Sequence, residues 1–323
     1  MSLATHTLRE HLASIPDARL VPPAQREEDL GQFSSMDADS VAVDAPLVED
    51  RTFTAIPVLE KPSEFTHFLD GTQRSWRVGF VGISPIYLAY TSAGLLARED
   101  REILPPTDEY FSGDLEMILP EDAALPAFGT LKQVRVGTGL SDTEMTVRQR
   151  ILNEISWRRE SRETEIARKF REGWLLIDGG IGKPMEKMQD GAQIVGVVKS
   201  HQRQYFASKE RIRTILDLKP GERTPVFLRE RNQQQGKEAN SFYLRLFDSA
   251  GQSPMFGLIR IEIPTADVML KQVDDISGWL LSERDPLSLP DARYDRMLYP
   301  IRLVEQHLKA RQPSDAAIRG IVG

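Results

Sequence analysis

Two short, mostly apolar runs of the chain end in the same dipeptide, Asp-Gly. The first is 65–69, followed by Asp70 and Gly71, and the second is 174–177, followed by Asp178 and Gly179. Runs of this length are typical of strands buried on both faces, so we expect each aspartate at the C-terminal end of its strand, with the glycine making a turn. Adjacent strands would bring the two carboxylates within a few ångströms, where a divalent cation offsets their repulsion.

The same dipeptide has a purely structural interpretation. Asp-Gly is frequent in hairpins and tight turns, because aspartate and glycine suit the backbone conformations that such turns need. Either copy alone is therefore compatible with a simple turn. The apolar run before each copy makes the pair more informative than either member.

Composition narrows the classes of function. The 323 residues are 40% hydrophobic and 28% charged, as in ordinary globular proteins, and they contain no cysteine. This excludes disulfides, cysteine-ligated zinc, iron–sulfur clusters and cysteine nucleophiles, and we expect a reducing, cytoplasmic location. We expect neither a membrane span nor a signal peptide, because no 18-residue apolar run occurs and the first 20 residues carry several charges. A net charge of −7 argues against an overall basic surface, but not against a local basic cleft.

The elements that must position the two aspartates are predicted as follows. Residues 1–50 indicate an N-terminal arm or linker with a short helix at 4–14, and 51–323 form one domain. Strands at 76–83 and 86–96 follow Asp70, and an acidic, proline-rich insertion over 99–130 contains a short strand at 115–119. Ser141 and Glu144 form a capping-box pattern that opens a helix running to about residue 171. Further strands are predicted at 193–198, 225–229, 242–247 and 256–263, and further helices at 208–216, 266–281 and 301–310.

This order resembles the RNase H-like nuclease core, and its details resemble the NurA family, the nucleases that work with the HerA translocase in DNA end processing. The resemblance covers about residues 65–310. It rests on five separated pieces: Leu69-Asp70-Gly71, Ile177-Asp178-Gly179-Gly180-Ile181, Val197-Val198-Lys199-Ser200, Gly257-Leu258-Ile259-Arg260-Ile261-Glu262, and Tyr299-Pro300 with His307. It implies an α/β fold with a mixed sheet flanked by helices, carrying an N-terminal extension.

The resemblance also implies roles for individual residues. Asp70 and Asp178 resemble the paired metal-binding carboxylates, and a glutamate of the preceding helix is expected to join them, with Glu154 the first choice and Glu160 the alternate. Lys199 resembles a lysine near the scissile phosphate. Tyr299 and His307 resemble a C-terminal element that closes the site.

An all-oxygen ligand set favours two Mn²⁺ or Mg²⁺ ions, and His307 as a ligand would favour Mn²⁺. His307 could instead relay a proton, or be a half-buried helix residue without a catalytic role. We expect a set of arginines to contact the DNA backbone: Arg148, Arg158, Arg162 and Arg203. Tyr205 and Phe206 are candidates for stacking on bases, with core packing as the alternative.

The first functional hypothesis is therefore a metal-dependent DNA exo- or endonuclease in repair or anti-phage defence, acting as a homodimer beside a HerA-type hexameric ATPase. The sequence contains no Gly-x-x-x-x-Gly-Lys-Ser/Thr phosphate loop, so ATP-driven movement would come from the partner. Two alternatives stay open. One is a non-catalytic adaptor that binds and caps a translocase, and the other is a small-molecule phosphoesterase.

Overall fold

The computed structural model describes residues 7–13, 15, 17–21, 44–100, 102–123, 125–139, 141–188, 192–200, 204–231, 236–285 and 294–323. The strands are β1 Ala18–Leu20, β2 Ile56–Pro57, β3 Phe65–Val81, β4 Ser84–Glu99, β5 Glu102–Leu104, β6 Phe111–Pro120, β7 Lys132–Val136, β8 Trp174–Asp178, β9 Ile194–Val198, β10 Glu222–Arg223, β11 Phe227–Arg229, β12 Ala239–Arg245 and β13 Leu258–Ile263. The α-helices are α1 Leu8–Ala13, α2 Glu144–Ala167, α3 Gly182–Met185, α4 Lys209–Leu216, α5 Asp267–Leu270, α6 Val273–Ser282, α7 Tyr299–Ala310 and α8 Asp315–Val322.

The described strands form one mixed sheet. Its main order is β2-β10-β12-β13-β9-β8-β3-β4-β6-β7, with β1 paired to β3, β11 to β12 and β5 to β4. The centre of the sheet is parallel, because β8 pairs in parallel with both β3 and β9, whereas β3, β4 and β6 form an antiparallel meander. This confirms the predicted α/β class and the RNase H-like layout.

Helices cover both faces of the sheet. Phe68 belongs to a core shared with α6 and α7, whereas its neighbour Leu69 belongs to a core shared with α2. Successive side chains of a strand point to opposite faces, so α2 lies on one face and α6 and α7 lie on the other. The residues of β3 around Asp70 are thereby assigned to one helix layer or the other.

Strand β3 differs from its prediction. It runs unbroken for 17 residues, so Asp70 lies inside the strand rather than at its end, and Gly71 makes no turn. The reason is that β4 pairs with it on both sides of this point, with Asp70 opposite Gly94 and Gly71 opposite Ala93. The predicted strand at 76–83 is the second half of β3, and the chain turns at Gly82, which has a positive φ of 58°.

Other boundaries also move. The short strand predicted at 115–119 is the ten-residue third strand of the meander, and the helix predicted at 266–281 is two helices, α5 and α6. The predicted Ser141 capping box is wrong. Asp142 accepts a hydrogen bond from the Gly139 N–H at 2.6 Å, so it closes the preceding turn, and the helix starts later with Thr143 as the N-cap.

The described part of the N-terminal region packs on the sheet. Leu8 and Leu12 of α1 are buried in a cluster with Trp76 of β3 and Ile318 of α8. Strand β1 pairs with the end of β3. The prediction that 1–50 forms a separate arm stays a prediction. Among the described helices, none combines the length and the apolar character needed to cross a membrane.

Candidate functional site

The pairing of β3 with β8 places Asp70 and Asp178 side by side. Leu69 of β3 is in register with Ile177 of β8, and both contribute to the core beneath α2. The next residue of each strand, Asp70 and Asp178, therefore projects to the opposite face, toward α7. Neighbouring strands are about 4.8 Å apart, so the two carboxylates are close neighbours. Strand β8 ends at Asp178, whereas β3 continues past Asp70.

Burial makes this pair electrostatically costly. Asp70 is buried, and this burial, followed by the charge of Asp178, raises the pKa of its carboxyl well above the ordinary value. The positive charge of Lys199 lowers the pKa of Asp70. The Asp70 Oδ1 atom accepts a hydrogen bond from the Gly71 N–H at 2.7 Å. Asp70 and Asp178 thus form an acidic site in which Lys199 compensates only part of the negative charge of the ionised carboxylates.

Lys199 supplies the nearest positive charge. It follows the last residue of β9, one position beyond Val198, and Val197 is in register with Asp178. Its Nζ atom lies 2.9 Å from Asp178 Oδ1, with only 9% of the side chain exposed. Arg296 donates a hydrogen bond to the Lys199 carbonyl at 2.8 Å, which fixes the backbone there. The structure therefore brings three of the site residues named from sequence together: Asp70, Asp178 and Lys199.

The glutamate of α2 that lies at this site is Glu163. Its carboxylate packs against Gly71, in space that a side chain at position 71 would fill. Burial is the main cause that raises the pKa of Glu163, and Arg159, which forms an ion pair with it, opposes that shift. The charges of Glu163 and Asp178 act on each other, as do those of Glu163 and Asp70. Glu163 is an acidic residue of the site that sequence reasoning missed.

A sequence signal for Glu163 existed. The inward stripe of α2 has apolar residues at Val147, Ile151 and Ile155, spaced by four. The same spacing continues to Arg159 and Glu163, so charged residues occupy the core-facing positions of the last turns. A charged pair on a core-facing stripe is unusual and indicates a site.

The two glutamates chosen from sequence lie elsewhere on α2. Glu154 pairs with Arg158 at 3.4 Å. Glu160 pairs with Lys183 of α3 at 2.6 Å and is half-buried, one turn from Glu163. Glu154 and Glu163 are more than two helical turns apart on α2, about 13 Å along the axis.

Helix α7 covers Asp70 from the other side. Leu308 packs against Gly94, the residue opposite Asp70, and Gln312 donates a hydrogen bond to Thr72 at 2.9 Å. Glu305, one turn before Leu308, adds a further negative charge that raises the pKa of Asp70. The face of α7 that crosses β3 therefore contributes an acidic residue to the site.

Tyr299 and His307 occupy different positions on α7. Tyr299 begins the helix, is 44% exposed and lies beside Arg302, whose guanidinium is 5.4 Å from the centre of its ring. Arg302 in turn pairs with buried Asp285 at 2.8 Å. Burial and then Arg311 lower the pKa of His307, and Arg311 lies over Phe111 of β6.

The predicted DNA-binding arginines are largely used inside the protein. Arg158 forms an ion pair with buried Glu116 of β6, and Arg162 binds Thr91, Ser112 and Asp114. Only 14% of each of these two side chains is exposed. Arg148 lies in the first half of α2, and Arg203 lies outside the described residues.

Tyr205 and Phe206 are buried rather than available for stacking on bases. They form an aromatic cluster with Phe227 and Tyr243. Core packing, the alternative kept open from the sequence, is therefore the role that the structure gives them.

The residues present fit a divalent cation in the kind of donor they offer. Asp70, Asp178 and Glu163 provide only oxygen ligands, which Mg²⁺ and Mn²⁺ prefer. Within the described ranges, no three or more acidic or histidine side chains are arranged closely enough to enclose an ion together. Asp178 and Glu163 instead each contact a basic side chain, Lys199 and Arg159. The His307 Nε2 atom is buried and makes no hydrogen bond to the described residues.

Comparison with models of protein families gives a match over most of the chain. The model of the NurA domain matches residues 66–310, a range that contains Asp70, Glu163, Asp178, Lys199 and His307. No curated protein matches the chain. Because the family match covers most of the sequence, the chain belongs to the NurA family, a family of nucleases.

Proposed function

We propose that the protein is a metal-dependent DNA nuclease whose site is built on Asp70 and Asp178. The observation that carries the proposal is the placement of these two carboxylates on one face of adjacent strands, where burial and mutual repulsion raise the pKa of Asp70. A buried acidic pair is disfavoured unless a cation neutralises it, and perturbed carboxyls of this kind concentrate at functional sites.

Each residue of the site has a proposed role. Asp70 and Asp178 hold the cations from the sheet, and Glu163, on the α2 face of β3, adds negative charge beside them. Lys199 neutralises negative charge on the phosphate that is cleaved. Divalent cations bound there would supply activation of water and stabilisation of the leaving oxygen, and we propose Mn²⁺ or Mg²⁺, with two ions in the site.

The biological setting is proposed from the family. We infer that the protein acts as a homodimer with a HerA-type ATPase at DNA ends, in repair or in defence against invading DNA. The missing phosphate-loop motif supports a separate motor protein, because movement along DNA needs ATP hydrolysis.

The test uses purified protein, linear DNA and either Mn²⁺ or EDTA. We expect cleavage only with Mn²⁺, and we expect Asp70→Asn and Asp178→Asn to abolish it. Asp217→Asn is the matched control, because Asp217 is exposed and pairs with Arg213 at the surface. Circular dichroism confirms folding. Inert DNA in the presence of a HerA-type ATPase would refute the nuclease proposal, and hydrolysis of p-nitrophenyl phosphate alone would indicate a phosphoesterase.

One observation favours a second candidate, the non-catalytic adaptor. Asp178 and Glu163 already contact Lys199 and Arg159, so internal ion pairs satisfy part of the acidic site. An adaptor would bind the ATPase equally well with or without Mn²⁺ and would leave DNA intact. The same assay, combined with a binding measurement in EDTA, separates the two candidates.

A further inference from the structure

A buried triad of charges lies beside the turn that follows Asp178. Glu262 of β13 contacts Arg229 of β11 at 2.9 Å and Arg260 of its own strand at 2.6 Å, both through its Oε1 atom. At most 6% of any of the three side chains is exposed. Arg260-Ile261-Glu262 belongs to a sequence piece that carried the family resemblance without a role.

The second oxygen of Glu262 binds the turn itself. Its Oε2 atom accepts a hydrogen bond from the Ile181 N–H at 3.0 Å. This N–H lies beyond the end of β8, where the sheet offers it no partner, and a buried N–H without a partner is costly. Glu262 therefore fixes the backbone three residues after Asp178.

A glycine makes this contact possible. Gly196 of β9 lies between the two strands, in register with Ile177 of β8 and with Glu262 of β13. The turn folds over Gly196 so closely that a Cβ there would meet the Gly179 carbonyl oxygen and lie 2.8 Å from Ile181 Cγ2. The missing side chain lets Glu262 reach across β9 to the turn.

Stability alone does not account for the buried ion pairs of Glu262. A buried ion pair contributes little net stability compared with apolar residues of the same size. Burial alone would raise the pKa of Glu262. Arg260 and Arg229 nevertheless keep this pKa below the ordinary value, so the carboxylate stays ionised. One carboxylate oxygen is thus held by the arginines and the other by the turn, so the position of the turn is defined relative to β13.

We propose that Glu262, held by Arg229 and Arg260, is a positioning residue that sets the turn Gly179–Ile181 and thereby the placement of Asp178 beside Asp70. The inference rests on the proposed nuclease function for its activity readout. The placement of the turn itself is measured separately, by hydrogen exchange.

The experiment compares Glu262→Gln with Glu49→Gln. Glu49 is a close match, because it also binds a buried arginine, Arg223 at 2.8 Å, and a backbone N–H, that of Val226 at 2.8 Å, but at a distant edge of the sheet. We measure kcat and KM for Mn²⁺-dependent cleavage of linear DNA, and hydrogen exchange of the peptide 179–185 by mass spectrometry.

We expect Glu262→Gln to lower kcat by about 100-fold with KM changed less than about threefold, because small displacements of a catalytic group cost this much. Exchange of 179–185 should accelerate about tenfold. Glu49→Gln should lose thermal stability to a similar degree and leave both readouts unchanged. Equal loss of kcat in the two variants, or unchanged exchange in Glu262→Gln, would overturn the proposal.

Gly196→Ala is a second variant that changes no charge. Its new methyl group should push the turn away from β9, so it is expected to reproduce the loss of kcat and the faster exchange even if Glu262→Gln fails to fold. Wild-type cleavage by a folded Gly196→Ala variant would overturn the proposal. If the wild-type protein cleaves no DNA, the nuclease function fails, while the exchange measurement still decides whether Glu262 holds the turn.

Discussion

The carboxylate of Glu163 lies directly over Gly71, in the space that any side chain at position 71 would occupy. Gly71 is on the α2 face of β3, and Asp70 beside it is on the α7 face. The glycine thus admits an acidic residue from α2 next to an aspartate that projects from the other side of the same strand. Gly71, which was predicted to make a turn, is instead a strand residue whose missing side chain leaves room for Glu163.

Gly71→Ala is expected to displace Glu163 and lower DNA cleavage by at least tenfold, because the new Cβ would overlap the carboxylate. Gly320→Ala is the control, since a Cβ at Gly320 in α8 meets no atom within 4 Å. Replacing glycine by alanine in a helix stabilises it by about 0.5–1 kcal/mol. Steady-state cleavage rates decide the point, and normal activity of Gly71→Ala would show that Glu163 is dispensable.

Glu163→Gln tests which glutamate of α2 serves the site. We expect a loss of about 100-fold in cleavage, because changing a group beside a metal site costs about 10–100-fold in metal affinity or activity. Glu154→Gln should cost less than about twofold, because Glu154 pairs with Arg158 away from Asp70. The reverse order of activities would return the role to Glu154, the residue first chosen from sequence.

Asp70→Asn should stabilise the fold at neutral pH in EDTA. The pKa of Asp70 is raised in the folded protein, so the native state binds this proton more tightly than the unfolded chain. Its contribution is therefore present below the unfolded pKa of about 3.9 and is lost as pH rises through the folded pKa. Urea unfolding should show a stability gain that is absent below about pH 3.9 and grows as the pH rises above that value. A gain independent of pH would contradict this.

Lys199 and Asp178 should be energetically coupled. Lys199→Met leaves Asp178 without its partner at 2.9 Å and is expected to lower the free energy of unfolding by about 1–3 kcal/mol. The double variant Lys199→Met/Asp178→Asn should recover most of that loss but none of the cleavage. A double-mutant cycle from urea unfolding measures the coupling. Strict additivity of the two changes would show that the ion pair contributes nothing.

Arg158→Ala should act on stability rather than on DNA affinity. It removes one partner of buried Glu116, which keeps Lys132 at 3.2 Å, so the expected cost is about 1–3 kcal/mol. The dependence of DNA binding on salt should be unchanged, because a residue that contacts no phosphate releases no counterion. Arg213→Ala, at an arginine that is 84% exposed, is the stability control. A reduced salt slope for Arg158→Ala would restore its predicted role on DNA.

Periodicity and local composition predicted the elements that depend on nearby residues. The apolar run ending at Asp178, the strand before Lys199 and the long charged helix α2 appear close to their predicted places. The turn after Asp178 also follows from sequence, because Gly179 has a φ of 122° that other residues avoid. Local signals are sufficient where the local backbone decides the structure.

The sequence by itself determined that two acidic residues follow apolar runs and that a helix with candidate glutamates precedes the second. Only the tertiary structure decided that Asp70 lies within a strand and that Glu163 is the glutamate beside it. The physical reason is that both facts depend on partners distant in the chain. Strand β4 continues the pairing through Gly71, and the contact between α2 and β3 selects which turn of the helix meets the site.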